Sequence, residues 1–204
     1  MNKPLGIILA GGLATRMGGG DKALLPLGDG ALLSYVRNRL APQVGGLAIN
    51  ANGDPARFAA YGLPVLADSI EGFPGPLAGV LAGMDWAAEQ GVDCVVSVAG
   101  DTPFFPSDLV ARLSSAAQGM AQPLVLAATP DGRQPTFGLW PVALREDLRD
   151  ALNGGLRKVV QWSDAHGGRV AEFEGGDPGP FFNINTPEDL IRAQGMIQGY
   201  GAGI

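Results

Sequence analysis

The sequence predicts a doubly wound α/β domain: one mostly parallel sheet with helices on both faces. Three observations predict it. Apolar, β-branched runs alternate with segments of helical periodicity along the chain, the pattern of strand–helix–strand units. The run Cys94–Ala99 is almost continuously apolar, as suits a strand buried on both faces of a parallel sheet. Polar residues cluster just after apolar runs, at Gly11 to Arg16, Asn50 and Asn52, Asp68 and Asp101, where the ligand edge of such a sheet lies.

In chain order, LGIILA (5–10) is a buried strand stopped by glycines. LLSYVRNRLA (32–41) sets Leu32, Leu33, Val36 and Leu40 on one helical face. GLAINAN (46–52) and LPVLADS (63–69) are short strands. GPLAGVLAGMDWAAEQG is a helix, with Leu77, Val80, Leu81 and Met84 at helical spacing and Gly91 as its stop. The central strand DCVVSVAGDTP precedes a helix over 108–118, with Ser107 as the expected cap. PLVLAAT and PTFGLWP are further strands, followed by helices near 142–152 and 155–163 and the strand RVAEFE. Thr186-Pro187-Glu188-Asp189 starts the last helix, with Thr at the N-cap, Pro at N1 and acids in the first turn. It is expected to run to about Gln198. The 204 residues suffice for one sizeable core, so residues 1–198 form one domain and 199–204 a frayed tail.

Hydrophobic residues make up 46% of the chain and charged residues 17%, with a formal net charge of −6. That acidity argues against coating nucleic acid or an acidic membrane, yet leaves room for a locally cationic pocket. The lone Cys94 excludes a disulfide framework and reads as a small buried hydrophobe. The apolar stretch before Gly11 is too short to span a bilayer and lacks the features of a secretory signal, so a cytoplasmic protein is expected. The single His166, in the polar turn SDAHGG, reads as a surface residue.

LAGGLATRMGGGDK (9–22) places five glycines in twelve positions and adds Arg16 and Lys22. It is neither G-x-x-x-x-G-K-[ST] nor G-x-G-x-x-G. A strand, a turn with exposed amides and two cations nonetheless suit phosphate oxygens. A mobile surface turn with two solvated cations explains the same residues equally well.

The loop resembles the signature of nucleotidyltransferases that activate small molecules with a nucleoside triphosphate. More narrowly, LAGGLATRMGGGDK, INAN, VLADS with GPLAG, GDTPF, QPT and FNINTPEDL occur in the order found in the molybdenum cofactor guanylyltransferases. The similarity covers nearly the whole chain. It implies a Rossmann-like nucleotidyltransferase fold that transfers GMP from GTP to the terminal phosphate of the molybdopterin cofactor and releases pyrophosphate. Mg²⁺ is the implied cofactor, and cofactor-inserting or molybdoenzyme-maturation proteins are the implied recipients of the product. A CTP-dependent or sugar-phosphate transferase is the alternative within the same chemistry. A GTP-binding regulatory module without turnover is the alternative from another class.

Asp101 ends the most buried strand, so its carboxylate needs a partner. One Asp facing a triphosphate suffices to anchor Mg²⁺, and the resemblance puts nucleotide and metal there; capping the turn into Pro103 is its bland reading. Arg16, Lys22 and Asp101 are the candidate catalytic residues. Leu9, Ala10, Gly11, Gly12, Lys22, Asn50, Asp68 and Asp101 are the candidate nucleotide site. The second glycine of the turn, Gly12, goes with guanine in the related enzymes, and alanine with cytosine. Arg133, Gln134, Thr136, Asn183 and Asn185 are candidates for the acceptor side, with turn chemistry as the alternative. Asn183 and Asn185 alternate along an extended segment, so both amides face one way. Phe181 and Phe182 read as core. The attacking phosphate is ionised at neutral pH, its second pKa being about 6, so no general base is needed.

Overall fold

The computed structural model describes residues 3–12, 20–70 and 75–201. Its strands are β1 (Leu5–Leu9), β2 (Pro26–Leu27), β3 (Gly30–Ala31), β4 (Leu47–Asn50), β5 (Val65–Leu66), β6 (Cys94–Ala99), β7 (Val125–Thr129), β8 (Gly132–Pro141) and β9 (Arg169–Glu172). Its helices are α1 (Leu32–Leu40), α2 (Pro76–Glu89), α3 (Leu109–Ala116), α4 (Arg145–Asn153), α5 (Val159–Ala165) and α6 (Pro187–Gly201). Seven strands form one sheet in the order β5-β4-β1-β6-β8-β7-β9, while β2 and β3 pair separately. Within the large sheet β8 runs antiparallel to β6 and β7, and every other pair is parallel.

Side-chain alternation divides the core into two layers. Ile8, Ile49, Val96 and Val98 pack with Leu33, Val36 and Leu40 of α1 and Leu109 and Leu113 of α3. Ile7, Ala48 and Val95 pack on the other face with Leu77, Val80, Leu81 and Met84 of α2, Leu148 of α4 and Trp162 of α5. Cys94 is buried in the first layer, where burial first, and then the charge of Asp93, push its thiol up to about 11. A small third cluster joins Leu27, Leu32, Ile184 and Ala193.

The chain moves outward from β1 to β4 and β5, then returns to place β6 on the other side of β1. This reversal makes a crevice beyond the carboxyl ends of those strands. The ladder continues past the strand ends, with Ala10 N donating to Asn50 O at 2.8 Å, Ala51 N to Leu66 O at 3.0 Å and Gly100 N to Leu9 O at 3.0 Å. Four loop starts therefore rise side by side.

Several elements differ from the sequence expectation. The 26–31 hairpin and a 3-10 segment at Pro55–Tyr61 carry no periodicity and are new. Helix α3 starts after Asp108 without a side-chain cap, so Ser107 does not cap it. Helix α5 begins at Val159, later than residue 155, and α6 extends to Gly201. Strand β8 starts at Gly132 and is interrupted: Leu126 pairs with Gly138 but Ala127 with Gln134, leaving Pro135–Phe137 bulged, as a proline without a ladder N–H favours. The start of α6 is as expected. Asp189 N donates to Thr186 Oγ1 at 3.2 Å and Asp189 Oδ2 accepts from Thr186 N at 2.9 Å, a reciprocal capping box.

Candidate active site

A cleft of about 840 Å³ opens over the ends of β1, β4, β5 and β6. Leu9, Ala10, Gly11, Gly12, Lys22, Asn50, Asp68 and Asp101 all line it, joined by Thr136 and Asn183. Residues 90 positions apart in the chain meet because the parallel strands end at one edge. Arg16 lies outside the described residues. Arg133 and Gln134 are not in the cleft: Arg133 pairs with Asp164 of α5 at 2.5 Å, and Gln134 donates to Gly132 O at 3.5 Å. The bulge explains why Thr136 parts from them. It turns Thr136 inward, and Ser97 Oγ holds the Thr136 carbonyl at 2.9 Å while accepting from Trp140 Nε1 at 2.8 Å.

The Lys22 ammonium is the electrostatic centre. Its Nζ lies 2.6 Å from Asp101 Oδ2 and donates to Asn183 Oδ1 at 3.1 Å and to Asn185 Oδ1. All three ammonium donors are therefore used. The Lys22 side chain is 10% exposed and that of Asp101 20%, and charges this far from water require such pairing. Ile184 N donates to Asp101 O at 3.0 Å, splicing the 181–185 segment onto the loop after β6. Ile184 itself points into the core, so Asn183 and Asn185 face Lys22 together. Lys22 N also donates to Gly12 O at 3.1 Å, closing the base of the glycine loop.

Across the cleft, Asn50 Nδ2 donates to Asp68 Oδ1 at 2.9 Å and to Leu66 O at 3.1 Å. Asn52 Nδ2 donates to Asp68 Oδ2 at 2.9 Å, and its Oδ1 accepts from Asp68 N at 2.9 Å. Asn50 fits only because the overlying α2 residue is Gly79: a Cβ there would fall 2.1 Å from Asn50 Oδ1. Gly75 and Pro76, at the start of α2, also line the cleft. No side chain caps that end, so first-turn amides and the positive end of the helix dipole meet the cleft.

Gly11 and Gly12 have neither a positive φ nor any atom within 4 Å of a Cβ placed on them. Nothing in the described structure demands glycine there. The space they leave opens into the cleft.

The charged lining among the described residues is one cation, Lys22, and two carboxylates, Asp68 and Asp101. A polyphosphate there needs further positive charge. Asp101, lining the cleft with the side-chain carbonyl oxygens of Asn183 and Asn185 around the same cation, gives a hard oxygen donor set of the type Mg²⁺ accepts. The described residues contain no cluster of three or more His, Cys, Asp or Glu side chains suited to a metal, so phosphate oxygens and water have to complete any such shell.

Sequence reasoning undervalued Asn52 and missed Arg57 and Ser97. Asn52 carried a signal, following a strand end as Asn50 does; Arg57 and Ser97 carried none. His166 is not a free surface residue. Its Nε2 lies 2.8 Å from Asp147 Oδ1, its ring 4.5 Å from that of Trp162, and its side chain is 22% exposed. Phe181 is core, edge-on to Phe137 at 4.8 Å, and Phe182 packs against the third cluster.

A family profile described as MobA-like NTP transferase domain matches residues 6–169. A molybdenum cofactor guanylyltransferase of Mesorhizobium japonicum is 49% identical over 199 residues, covering 95% of both chains. One from Rhodopseudomonas palustris is 51% identical over 196 residues, 95% of this chain and 92% of the relative. Among solved structures, molybdopterin-guanine dinucleotide biosynthesis protein A from Archaeoglobus fulgidus superposes with a TM-score of 0.73 at 21% identity, covering 96% of this chain and 99% of that one. A CMP:2-keto-3-deoxy-manno-octonic acid synthetase complexed with CTP reaches 0.74 at 13% identity, over 98% and 100%. At these identities the structural likenesses establish the fold.

Proposed function

The chain belongs to the MobA-like NTP transferase family, and on that premise we propose that it transfers GMP from GTP to the terminal phosphate of the molybdopterin cofactor, forming the guanine dinucleotide cofactor and pyrophosphate. The names of relatives about half identical over nearly the full chain support the substrates. The observation that carries the reading is the meeting of Gly11, Gly12, Lys22, Asp101 and the Asn50–Asp68 pair around one cleft at the sheet reversal.

In this reading a phosphate oxygen of the acceptor attacks the α-phosphorus of GTP. The bond to the bridging oxygen breaks, and pyrophosphate leaves with the electron pair. The nucleophile is already ionised, so no proton acceptor is required; His166 is fastened to Asp147 and Trp162. The chain's work is positioning and charge stabilisation. Lys22 supports charge on the phosphates, and the start of α2 adds its dipole. Asn50 and Asp68 hold the ribose or base, and the bare backbone of Gly11 and Gly12 leaves room for guanine. Thr136 and Asn183 border the acceptor side, and Asn183 and Asn185 keep Lys22 in place. Asp101 would hold Mg²⁺, which when bound would neutralise charge on the triphosphate. Arg16, between the two glycine groups in the sequence and outside the described residues, is the second cation of the reading. No helix among the described residues is long and apolar enough to cross a membrane. In this reading the enzyme works in the cytoplasm and hands its product to a maturation protein.

The test is turnover. The purified protein with Mg²⁺ and molybdopterin cofactor should release pyrophosphate and form the dinucleotide with GTP and not with CTP. Exclusive use of CTP overturns the base assignment, and saturable GTP binding without pyrophosphate release makes the chain a binding module.

A further inference from the structure

The geometry assigns to Arg57 the positioning of the nucleotide-binding halves: its guanidinium ties the Lys22 end of the glycine loop to the segment that presents Asn52 and Asp68. This inference rests on the nucleotide reading of the cleft. Arg57 is not among the residues lining that cleft, so it acts through its neighbours.

Its contacts are divided between two chain segments. Nε lies 2.7 Å from Asp21 Oδ2, an ion pair whose angle does not make a hydrogen bond. Nη1 donates to Asp54 O at 2.7 Å and Nη2 to Asn52 O at 2.5 Å. The guanidinium also sits 4.8 Å from the ring centroid of Phe58, a fully buried side chain. This packing stiffens the fork from below. Gly53 allows the close approach: its φ is +85°, and a Cβ on it would lie 3.1 Å from Nη1. A lysine has a single point of charge and cannot reproduce these three directions.

Each attachment leads to the cleft. Asp21 directly precedes Lys22, whose backbone N–H donates to Gly12 O at 3.1 Å. Asn52, held through its carbonyl by Arg57, holds Asp68 through its side chain with two reciprocal bonds at 2.9 Å. One planar cation therefore sets the spacing between the phosphate-side ammonium and the ribose- or base-side carboxylate. Removing it also leaves the Asp21 carboxylate, 16% exposed in the pair, uncompensated one residue from Lys22. That charge repels a triphosphate.

The experiment titrates GTP, in magnesium, into wild type, Arg57→Gln, Arg57→Lys, Asp21→Asn and the Asp21→Asn/Arg57→Gln pair by calorimetry, with melting curves and the acceptor KM alongside. Arg57→Gln and Arg57→Lys should each weaken GTP about tenfold or more, the scale expected when a binding geometry slips by a fraction of an ångström. The acceptor KM should stay within about twofold, because Thr136 and Asn183 sit on β8 and the 181–185 segment, which Arg57 does not touch. The double variant should bind GTP no worse than Arg57→Gln alone, because the two residues act as one unit. GTP affinity within about twofold of wild type in Arg57→Gln, or full additivity in the pair, overturns the assignment. Should Arg57→Gln lose its melting transition, Asp21→Asn decides: normal GTP binding there overturns the assignment, and weakened binding with an intact transition supports it. Absence of saturable GTP binding in wild type defeats the nucleotide reading itself, and this inference with it.

Discussion

Replacing Gly79 by Ala tests whether α2 sets the nucleotide side of the cleft. On helix propensity alone the change stabilises, by about 1 kcal/mol. Packing reverses the sign. The new Cβ would lie 2.1 Å from Asn50 Oδ1, 2.8 Å from Asn50 Cγ and 2.8 Å from Leu9 Cδ2. Leu9 Cδ2 ends a flexible side chain and can yield. Asn50 is 5% exposed and has to retreat by roughly 1 Å to restore an ordinary contact distance. That retreat breaks its bonds to Leu66 O and Asp68 Oδ1, at a cost of about 1 kcal/mol for the neutral acceptor and about 2 for the charged one. The net expectation is a loss of about 2 kcal/mol, seen as a fall in Tm of roughly 4–8 °C for a chain of this size, together with at least tenfold weaker GTP binding because Asp68 loses a donor. The assay is thermal melting plus GTP titration, repeated with Asn50→Ala. Without the Asn50 amide only the contact with the yielding Leu9 Cδ2 remains, so Gly79→Ala should become neutral or stabilising by up to about 1 kcal/mol. A Gly79→Ala protein as stable as wild type with normal GTP affinity refutes the reasoning; so does an unchanged penalty in the Asn50→Ala background.

Gly12→Ala provides the opposite test: among the described residues its Cβ meets nothing, so Tm should hold or rise slightly, by up to about 1 kcal/mol of stability, while GTP affinity falls; unchanged affinity would detach Gly12 from base recognition. Asp101→Asn keeps an oxygen acceptor for Lys22, so the melting curve should survive while pyrophosphate release drops by about 100-fold or more. Magnesium should then no longer strengthen GTP binding, and near-normal turnover would remove the metal from Asp101. The Asp189 carboxyl supplies a pH signature. Burial pushes it up, but the N–H groups of Asn185 and Thr186, the Thr186 hydroxyl and the charge of Lys22 outweigh burial and hold it below its ordinary value. A lowered carboxyl stabilises above its unfolded value and loses that contribution as pH falls through the folded one. Urea melts should therefore show Asp189→Asn less stable than wild type at neutral pH by no more than about 0.5 kcal/mol, because water screens so exposed a charge, with the gap closing below roughly pH 4; a gap independent of pH would mean that the carboxylate charge contributes nothing.

Features with a local cause were legible without coordinates. The strands around Ile7, Ile49 and Val96 declare themselves as unbroken apolar runs, because burial on both faces leaves no polar position. Thr186 and Asp189 spell out a helix start within four residues, because a cap satisfies neighbouring amides. Even the cleft was readable in outline, since in parallel strands whatever follows each apolar run must arrive at the same edge. The 26–31 hairpin and the 3-10 segment at 55–61 have no period to read, and Ser107 has a cap's chemistry without a cap's contact.

What the amino-acid order determined alone is therefore the fold class, the helix and strand faces and many of the residues that line the cleft. Tertiary structure decided their partners. Asn183 and Asn185 reach Lys22 across 161 and 163 positions, Arg57 reaches Asp21 across three strands and a helix, and Arg133 turns away to Asp164 while Thr136, three residues on, turns in. The physical reason is range: periodicity and capping act over a few residues, whereas an ion pair forms wherever packing brings two charges within a few ångströms, and no local pattern records where that will be.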